Sequence, residues 1–419
     1  MHFRTILNDC THFKGFCFTN EELDPKAKRI FIDIRPRKGS KAICSQCETK
    51  SPGYDTLPIR SFQFIPIWRY QVFFRYSPRR VSCPKCKRVL VEKLPWSDGK
   101  HQITTIFAAF LASWAKDLAW QRVAERFCTS WQTVMSAVSM VVAFGLKNRC
   151  LKNVTAIGVD EVAWKKGHKY LTLVYQINAG ARRLLWIGEE RTQETLTSFF
   201  KDMKNACENF TEGIKVICSD MWKPYLKIIA KEIPHALNVL DRFHIMQKFG
   251  KALDNVRAQE VKRLQEKKLD PVLTHSRWCF LKRRENLTEK QGFKLNELLK
   301  MNLTTVRAYL LREQFQKFWD YNYPVWAEKF FWQWHHAAIR SRIEPMKKVA
   351  ETLERHVELI LNYFRAKKQF SNSIVEGMNR KVNLSIRKSY GFRTLKIAEI
   401  ALYHQLAELP EPKFTHKFW

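Results

Sequence analysis

At 419 residues, with 45% hydrophobic and 13% aromatic content, the chain is long enough for two or three domains and apolar enough to bury their cores. Lys and Arg number 73 against 40 acids, and a net charge of +33 points to a polyanionic partner, foremost nucleic acid, because solubility alone does not call for so lopsided a balance. The opening MHFRTILNDC lacks a basic start followed by a long apolar run, the longest uncharged apolar stretch (132–146) is too short to cross a bilayer, and no Gly-rich phosphate loop with its Lys is present, so secretion, membrane insertion and nucleotide-driven work are not expected.

Residues 1–100 are rich in Cys, Pro and Arg and carry short alternating strands such as WRYQVFFRY. Among eleven cysteines, Cys44 with Cys47 and Cys83 with Cys86 form two Cys-x-x-Cys pairs, which in a leaderless basic protein favour a reduced cytoplasm and zinc over disulfides. Four thiolates satisfy one tetrahedral Zn²⁺ and close the site, so the metal is expected to be structural; two unrelated thiol pairs are the alternative. The 35 residues between the pairs exceed the usual zinc-ribbon loop, and SFQFIPIWRYQVFFRYSPRR is expected to form a hairpin that brings the pairs together. Arg75, Arg79, Arg80, Lys85, Lys87 and Arg88 rim the second pair, with Arg80 and Lys85 as expected phosphate contacts.

Residues 101–150 read as helices, and LAWQRVAERFCTSWQTVMSAV reads as helix, short turn, helix. Ala124 allows close approach, Ser130 suits a helix cap, and Val134 is expected to face the core. Gln132, Thr133 and Ser136 would then point toward a DNA groove. Against a strong reader, the second helix has no Lys or Arg until Lys147, and an ordinary helical hairpin shares the pattern.

TAIGVDEVAWKKGHKYLTLVYQINAGARRLLWIGEE reads as three successive strands, antiparallel because their connections are short. Asp160 lies mid-strand between its face-mates Gly158 and Val162, where an ionised carboxylate needs a cation, donors or a cavity. Glu161 points to the opposite face. A helix over roughly 193–209 precedes IKVICSD, a buried strand that the crossover makes parallel to the first, leaving Asp220 at its C-terminal edge. Helix capping is the competing role for Asp220. A fifth strand, ALNVLDRFH, ends in Asp241 and His244, a spacing suited to a metal or to DNA near the site. Three strands, helix, strand, helix, strand is the order of the ribonuclease H-like fold. There, carboxylates on the first strand, after the fourth strand and on a later helix converge on two Mg²⁺ (or Mn²⁺) ions, which activate the attacking oxygen and stabilise the leaving oxygen of a phosphodiester.

The third acid does not follow the fifth strand directly. Residues 249–368 read as an all-α insertion, with Val349, Leu353, Val357, Ile360 and Phe364 at helical spacing. Trp278, Trp319, Trp326, Trp332 and Trp334 are expected mostly as core, with one available to stack on an unpaired base, and the adjacent His335 and His336 as structural. Residues 369–419 return to a basic helix, a break at Tyr390-Gly391 and a last helix. Within FSNSIVEGMNRKVN, Glu376 is the only acid between residues 364 and 396, among nine Lys and Arg. A stray solvated Glu is the plain alternative. Beside Asp160 and Asp220, Glu376 is expected to be the third metal ligand, about one turn into a helix capped by Ser371 or Asn372 and kept ionised by the surrounding positive charge. Arg380, Lys381, Arg387 and Lys388 continue that helix as a phosphate-binding face.

Taken together, the cysteine pairs, the helical pair, IGVDEVAWKKGHKYLTLVYQI, RTQETLTSFF, VICSDMWKPYLKII, NVLDRFHIMQK and SNSIVEGMNRKVNLSIRKSYGFR resemble the ISL-three family of insertion-sequence transposases over nearly the whole chain. The resemblance implies DDE-type DNA transposition, with Asp160, Asp220 and Glu376 at the family's three acids and Asp241 and His244 on its Asp-x-x-His motif. The expected architecture is a multidomain α+β protein. It comprises a four-cysteine zinc module contacting DNA (1–100), a helix-turn-helix (101–150), a ribonuclease H-like α/β catalytic domain (151–248) interrupted by the insertion (249–368), and the final core helices (369–419). The expected partners are the terminal inverted repeats of a bacterial element, target DNA and at least a second copy of the chain, since two ends are held at once; no ATP is required. Two other readings stay open at this point. A catalytically silent DNA-binding regulator would fail an excision assay, and a structure-specific nuclease would give no joined product in a strand-transfer assay.

Overall fold

The alternating run WRYQVFFRY forms the strand Tyr70–Tyr76, which buries Val72, Phe74 and Tyr76 and leaves Phe73 and Arg75 partly exposed. This period of two is what a half-covered sheet requires. The strand pairs antiparallel with Arg60–Ile67 and parallel with Arg29–Pro36, and Phe16–Asp24 completes a four-stranded sheet. Trp96 is the centre of the core beneath it, packed edge-on against Phe16, Phe62 and Tyr76. A three-stranded sheet of Gly53–Thr56, Arg79–Cys83 and Arg88–Val91 and a two-residue ladder, Ala42–Ile43 with Lys50–Ser51, carry the cysteines.

The computed structural model describes residues 3–11, 13–165, 167, 169–370 and 373–412, so the expected capping residues Ser371 and Asn372 lie outside the described residues. Contacts divide the chain into two units, Met1–Arg149 with Ser385–Trp419, and Cys150–Leu384.

Besides its sheets, the first unit holds the helices Thr105–Asp117, Trp120–Arg126, Trp131–Asn148 and Leu395–Leu406. Ser130 caps the third by accepting the Thr133 N–H at 3.1 Å, and Val134, Val138, Val141 and Val142 are buried along one face. The axes of Trp120–Arg126 and Trp131–Asn148 turn by 114°. Among the described residues no single helix is long and apolar enough to cross a membrane. His404 is buried in Leu395–Leu406, with neither ring nitrogen hydrogen-bonded. Burial, reinforced by the charges of Lys116 and Lys388, pushes its pKa down to about 3.

The second unit is built on a five-stranded sheet. Its first three strands, Ala156–Lys165, Lys169–Asn178 and Ala181–Glu189, are antiparallel; the fourth, Val216–Ser219, runs parallel to the first, and the fifth, Leu237–Leu240, parallel to the fourth. The spatial order is therefore third, second, first, fourth, fifth. The helix Gln193–Ala206, capped by Thr192, supplies the crossover and buries Leu196, Phe199, Phe200 and Met203.

The fifth strand passes into the long helix Arg242–Glu266, the first of a run of helices ending with Val357–Arg365. Phe249, Phe315, Phe318, Trp319 and Trp334 are buried at its centre, whereas Trp278 and Trp326 are more than half exposed. Buried Glu260 reaches from the long helix to the start of Thr304–Gln316, accepting the Thr304 and Thr305 N–H groups at 2.8 and 2.7 Å. A borrowed carboxylate thus caps a helix that has no side-chain cap of its own. Asn362 donates to the Asn238 carbonyl at 2.9 Å, tying the last insertion helix to the fifth strand.

The helix Ser373–Lys388 returns to the sheet. A Cβ added at Gly158 would lie 2.4 Å from Val375 Cγ2, so only glycine lets this helix sit on the first strand. Gly158→Ala should therefore lower stability by about 1–3 kcal/mol, read as a shifted urea midpoint. An unchanged midpoint would mean the helix is not seated there.

A pH effect is expected at His404. Between about 3 and 6.5 the unfolded imidazole binds a proton that the folded one does not, so this contribution to stability is present above that window and lost as pH falls through it. Relative to His404→Leu, the native chain should lose stability at up to about 1.4 kcal/mol per pH unit there. Parallel curves for the two proteins would refute the assignment.

Candidate active site

The parallel register creates the site. Ile157 pairs with Ile217 and Gly158 with Cys218, so Asp160 and Asp220, each two residues further on, stand side by side where the strands part. Ser219 pairs with Leu240, and the Asp241 N–H donates to the Ser219 carbonyl at 2.9 Å, which sets Asp241 next in the row. Asp220 and Asp241 therefore follow the C-terminal ends of their strands, where open α/β sheets form crevices, and Asp160 stands in the middle of the first strand, just beyond its parallel pairing.

Each carboxylate is held differently. Asp160 Oδ1 accepts the Glu161 N–H at 2.8 Å and Oδ2 accepts Asn379 Nδ2 at 2.7 Å. Burial raises its pKa, and nearby Asp220 adds to that, while the Glu161 N–H, His244 and Asn379 hold the rise back. Asp220 does not cap the next helix, Lys223–Glu232, whose cap position is Trp222. It accepts the Trp222 N–H at 2.9 Å and is hydrogen-bonded by Arg191 Nη2. Asp241 caps the long helix through the Phe243 N–H at 2.8 Å, and His244 Nε2 lies 3.5 Å from its other oxygen.

Two flanking residues were not singled out from the sequence. Arg191 bridges Asp220 and the partly buried Glu161, 3.2 Å from Glu161 Oε1, with its guanidinium 4.6 Å from the Trp222 ring centre. Burial lifts the Glu161 pKa to about 7; Arg191 opposes this, and Asp220 and Asp160 add to it. Asn379 is the other. It lies three residues after Glu376, one helical turn along the same face, and it accepts the Tyr175 hydroxyl at 2.7 Å while donating to Asp160. That spacing from Glu376 was the available sequence signal, but nothing in the sequence paired Asn379 with a strand over two hundred residues earlier. Glu376 is half-buried and, with Asp241, lines a cleft of about 870 Å³ against the long helix.

The four cysteines also meet. Their sulfur atoms all lie within 4.8 Å of one another, with Cys47 and Cys83 at 3.4 Å and Cys44 and Cys86 at 3.9 Å. The Cys86 N–H donates to Cys83 Sγ, the largest of the effects that lower that thiol's pKa to about 6. Four soft sulfur donors at this spacing fit one tetrahedral zinc ion.

The expected DNA contacts are more varied. Arg80 is bound to Asp55, Arg79 to buried Glu92 and Arg75 to Asp33 and Glu22, so these guanidinium groups brace the sheets, while Lys85, Lys87 and Arg88 are exposed. Gln132 is exposed; Thr133 bonds to Ser130, and Ser136 borders a small cavity with His101 and Met140. Arg380, Lys381 and Arg387 are exposed, but Lys388 is half-buried and donates to the Lys116 carbonyl at 2.8 Å.

Comparison with known proteins adds an independent line. Residues 157–401, more than half the chain, match the family model DDE_Tnp_ISL3, described as a transposase. The chain is 29% identical over 372 residues to the transposase for insertion sequence element IS1001 of Bordetella parapertussis, covering 88% of this chain and 89% of that one. It is 26% identical over 393 residues to the transposase for IS1557 of Mycobacterium tuberculosis, covering 87% and 86%. Among solved structures, the Drosophila P element transposase strand transfer complex overlaps 74% of this chain and 95% of that one at 8% identity and a TM-score of 0.37, too loose a likeness to argue from.

Metal analysis of the purified protein should find about one zinc per chain. Cys83→Ser should release it and expose residues 44–86 to protease. A zinc-free wild-type protein that resists protease would remove the metal from this site.

Proposed function

The chain belongs to the ISL3 family of DDE transposases, and on that premise we propose that Asp160, Asp220 and Glu376 are the acids with which it cuts and joins DNA. The observation that carries this reading is the register that sets Asp160 beside Asp220, together with the Asn379 bond that docks the Glu376 helix on Asp160. The strand order and the parallel fourth and fifth strands support a ribonuclease H-like core. The 114° turn, the Ser130 cap and the buried Val134 support a helix-turn-helix.

The donor set fits hard divalent cations. Asp160, Asp220 and Glu376 offer carboxylate oxygens, the ligand class that Mg²⁺ and Mn²⁺ take. When bound, such ions supply Lewis-acid stabilisation of the charge that develops on the attacking and leaving oxygens.

The chain's own groups orient this centre. Asn379 and the Glu161 N–H fix the two Asp160 oxygens. Tyr175 fixes Asn379, and Arg191 balances the charge of Asp220 and Glu161. In the reaction, water displaces the bridging oxygen at an element end and leaves a 3′-hydroxyl. That hydroxyl then displaces a bridging oxygen in target DNA, so one phosphodiester bond forms as another breaks and no ATP is used. The four-cysteine module and the helix-turn-helix would hold the terminal repeats. Two ends in one reaction call for at least a dimer.

Ala at Asp160, Asp220 or Glu376 should lower Mg²⁺-dependent cleavage of an end-bearing DNA by about a thousandfold or more with end binding retained. Full cleavage by Asp220→Ala would refute the assignment.

A further inference from the structure

The Trp131–Asn148 helix has no Lys or Arg before Lys147, a poor match for a DNA groove on its own. The structure brings other groups beside it. The chain re-enters this unit at Ser385 and passes along a cleft of about 650 Å³ lined by Tyr390 and Arg393 on one side and by Arg122, Trp131 and Gln132 on the other. Trp120 and Trp131, with ring centres 5.7 Å apart, supply its apolar surface, and none of the lining residues is acidic.

The turn that presents Tyr390 closes its helix as three others in the chain do, with a non-glycine residue in the left-handed position, as at Cys128, Lys268 and Lys367. The Gly391 N–H donates to the Ile386 carbonyl at 2.9 Å and the Tyr390 N–H to the Arg387 carbonyl at 3.0 Å, the paired bonds of a Schellman helix end. In that motif the left-handed position is usually glycine, yet here it is Tyr390, at φ +53°. Its side chain does not repay the strain by packing, because Tyr390 is 98% exposed. Since that strain is shared with other helix ends, what singles Tyr390 out is a large aromatic left almost wholly in solvent beside a cleft that carries Arg122 and Arg393 and no acid.

We propose that Tyr390 and Arg393 complete the DNA-reading surface of the Trp131–Asn148 helix, so that the cleft grips one strand of duplex DNA. Arg393 meets a phosphate, the Tyr390 phenol donates to the adjoining sugar–phosphate, and Gln132 reaches the base edge. The net charge of +33 and the acid-free lining favour this occupant over a peptide. The proposal rests on the helix-turn-helix reading and adds to it a segment more than 240 residues away in sequence.

The test uses the full chain and a labelled duplex carrying the terminal repeat that flanks its own coding sequence, titrated at several salt concentrations. Tyr390→Ala and Arg393→Gln should each weaken binding about tenfold, and Arg393→Gln should reduce the salt slope by about one. Tyr390→Gly removes the strain, so it should melt no lower than the native chain and still lose affinity, which separates binding from folding. If Gln132→Ala weakens binding while the Tyr390 and Arg393 variants do not, the composite surface is overturned and the helix-turn-helix reading stands. If none of them changes affinity, both fall.

Discussion

One helix seated on one strand carries Glu376 back to the sheet whose register lines up Asp160, Asp220 and Asp241. Val375 lies over Gly158 and Asn379 donates to Asp160, so the Ser373–Lys388 helix meets the first strand through one apolar and one polar contact. The chain leaves the sheet at Asp241 and returns at Ser373, 132 positions later. No local constraint brings Glu376 back to the sheet across such a distance. The insertion makes the return possible because it has its own aromatic core and is tied to the fifth strand by Asn362. Closing a long loop costs only slightly more than closing a short one, provided the loop folds.

The same seating concentrates negative charge. Asp160, Asp220, Asp241 and Glu161 crowd one sheet edge, and burial lifts the Asp160 and Glu161 pKa values. The protein offsets this with directed donors. Arg191 spans Glu161 and Asp220, His244 lies against Asp241, and backbone N–H groups point at three of the carboxylates. Asp160, Asp220 and Asp241 thereby each accept a backbone N–H, while Glu161 shares Arg191 with Asp220.

In the cysteine-bearing module, positive charge is turned inward. Tyr76, Arg79 and Glu92 form a buried hydrogen-bonded cluster linking the two sheets, and Arg75 and Arg80 are likewise paired. The net charge of the chain therefore overstates what this face offers to a phosphate backbone. The exposed cations of this module are Lys85, Lys87 and Arg88 around the second cysteine pair, and further exposed cations lie on the Ser373–Lys388 helix at Arg380, Lys381 and Arg387.

Local chemistry made much of this legible in the residues alone. Cys-x-x-Cys spacing marked the four thiols, Ser130 and Val134 marked a cap and a buried face, and short connections marked the antiparallel strands. The crossover placed Asp220 beside Asp160, because handedness and parallel pairing leave few options. Other features had no local signature. Asn379 looked like any polar helix residue until it met Asp160, and Arg191 like any loop cation until it met two acids. Arg80 and Lys388, expected as phosphate contacts, also bond to Asp55 and to the Lys116 carbonyl, partners that no local pattern announced. Periodicity and spacing report on neighbours within a few residues. Which polar group satisfies which other, across hundreds of residues, follows only from how the elements pack, since a buried donor or acceptor is satisfied by whatever the packing brings within reach.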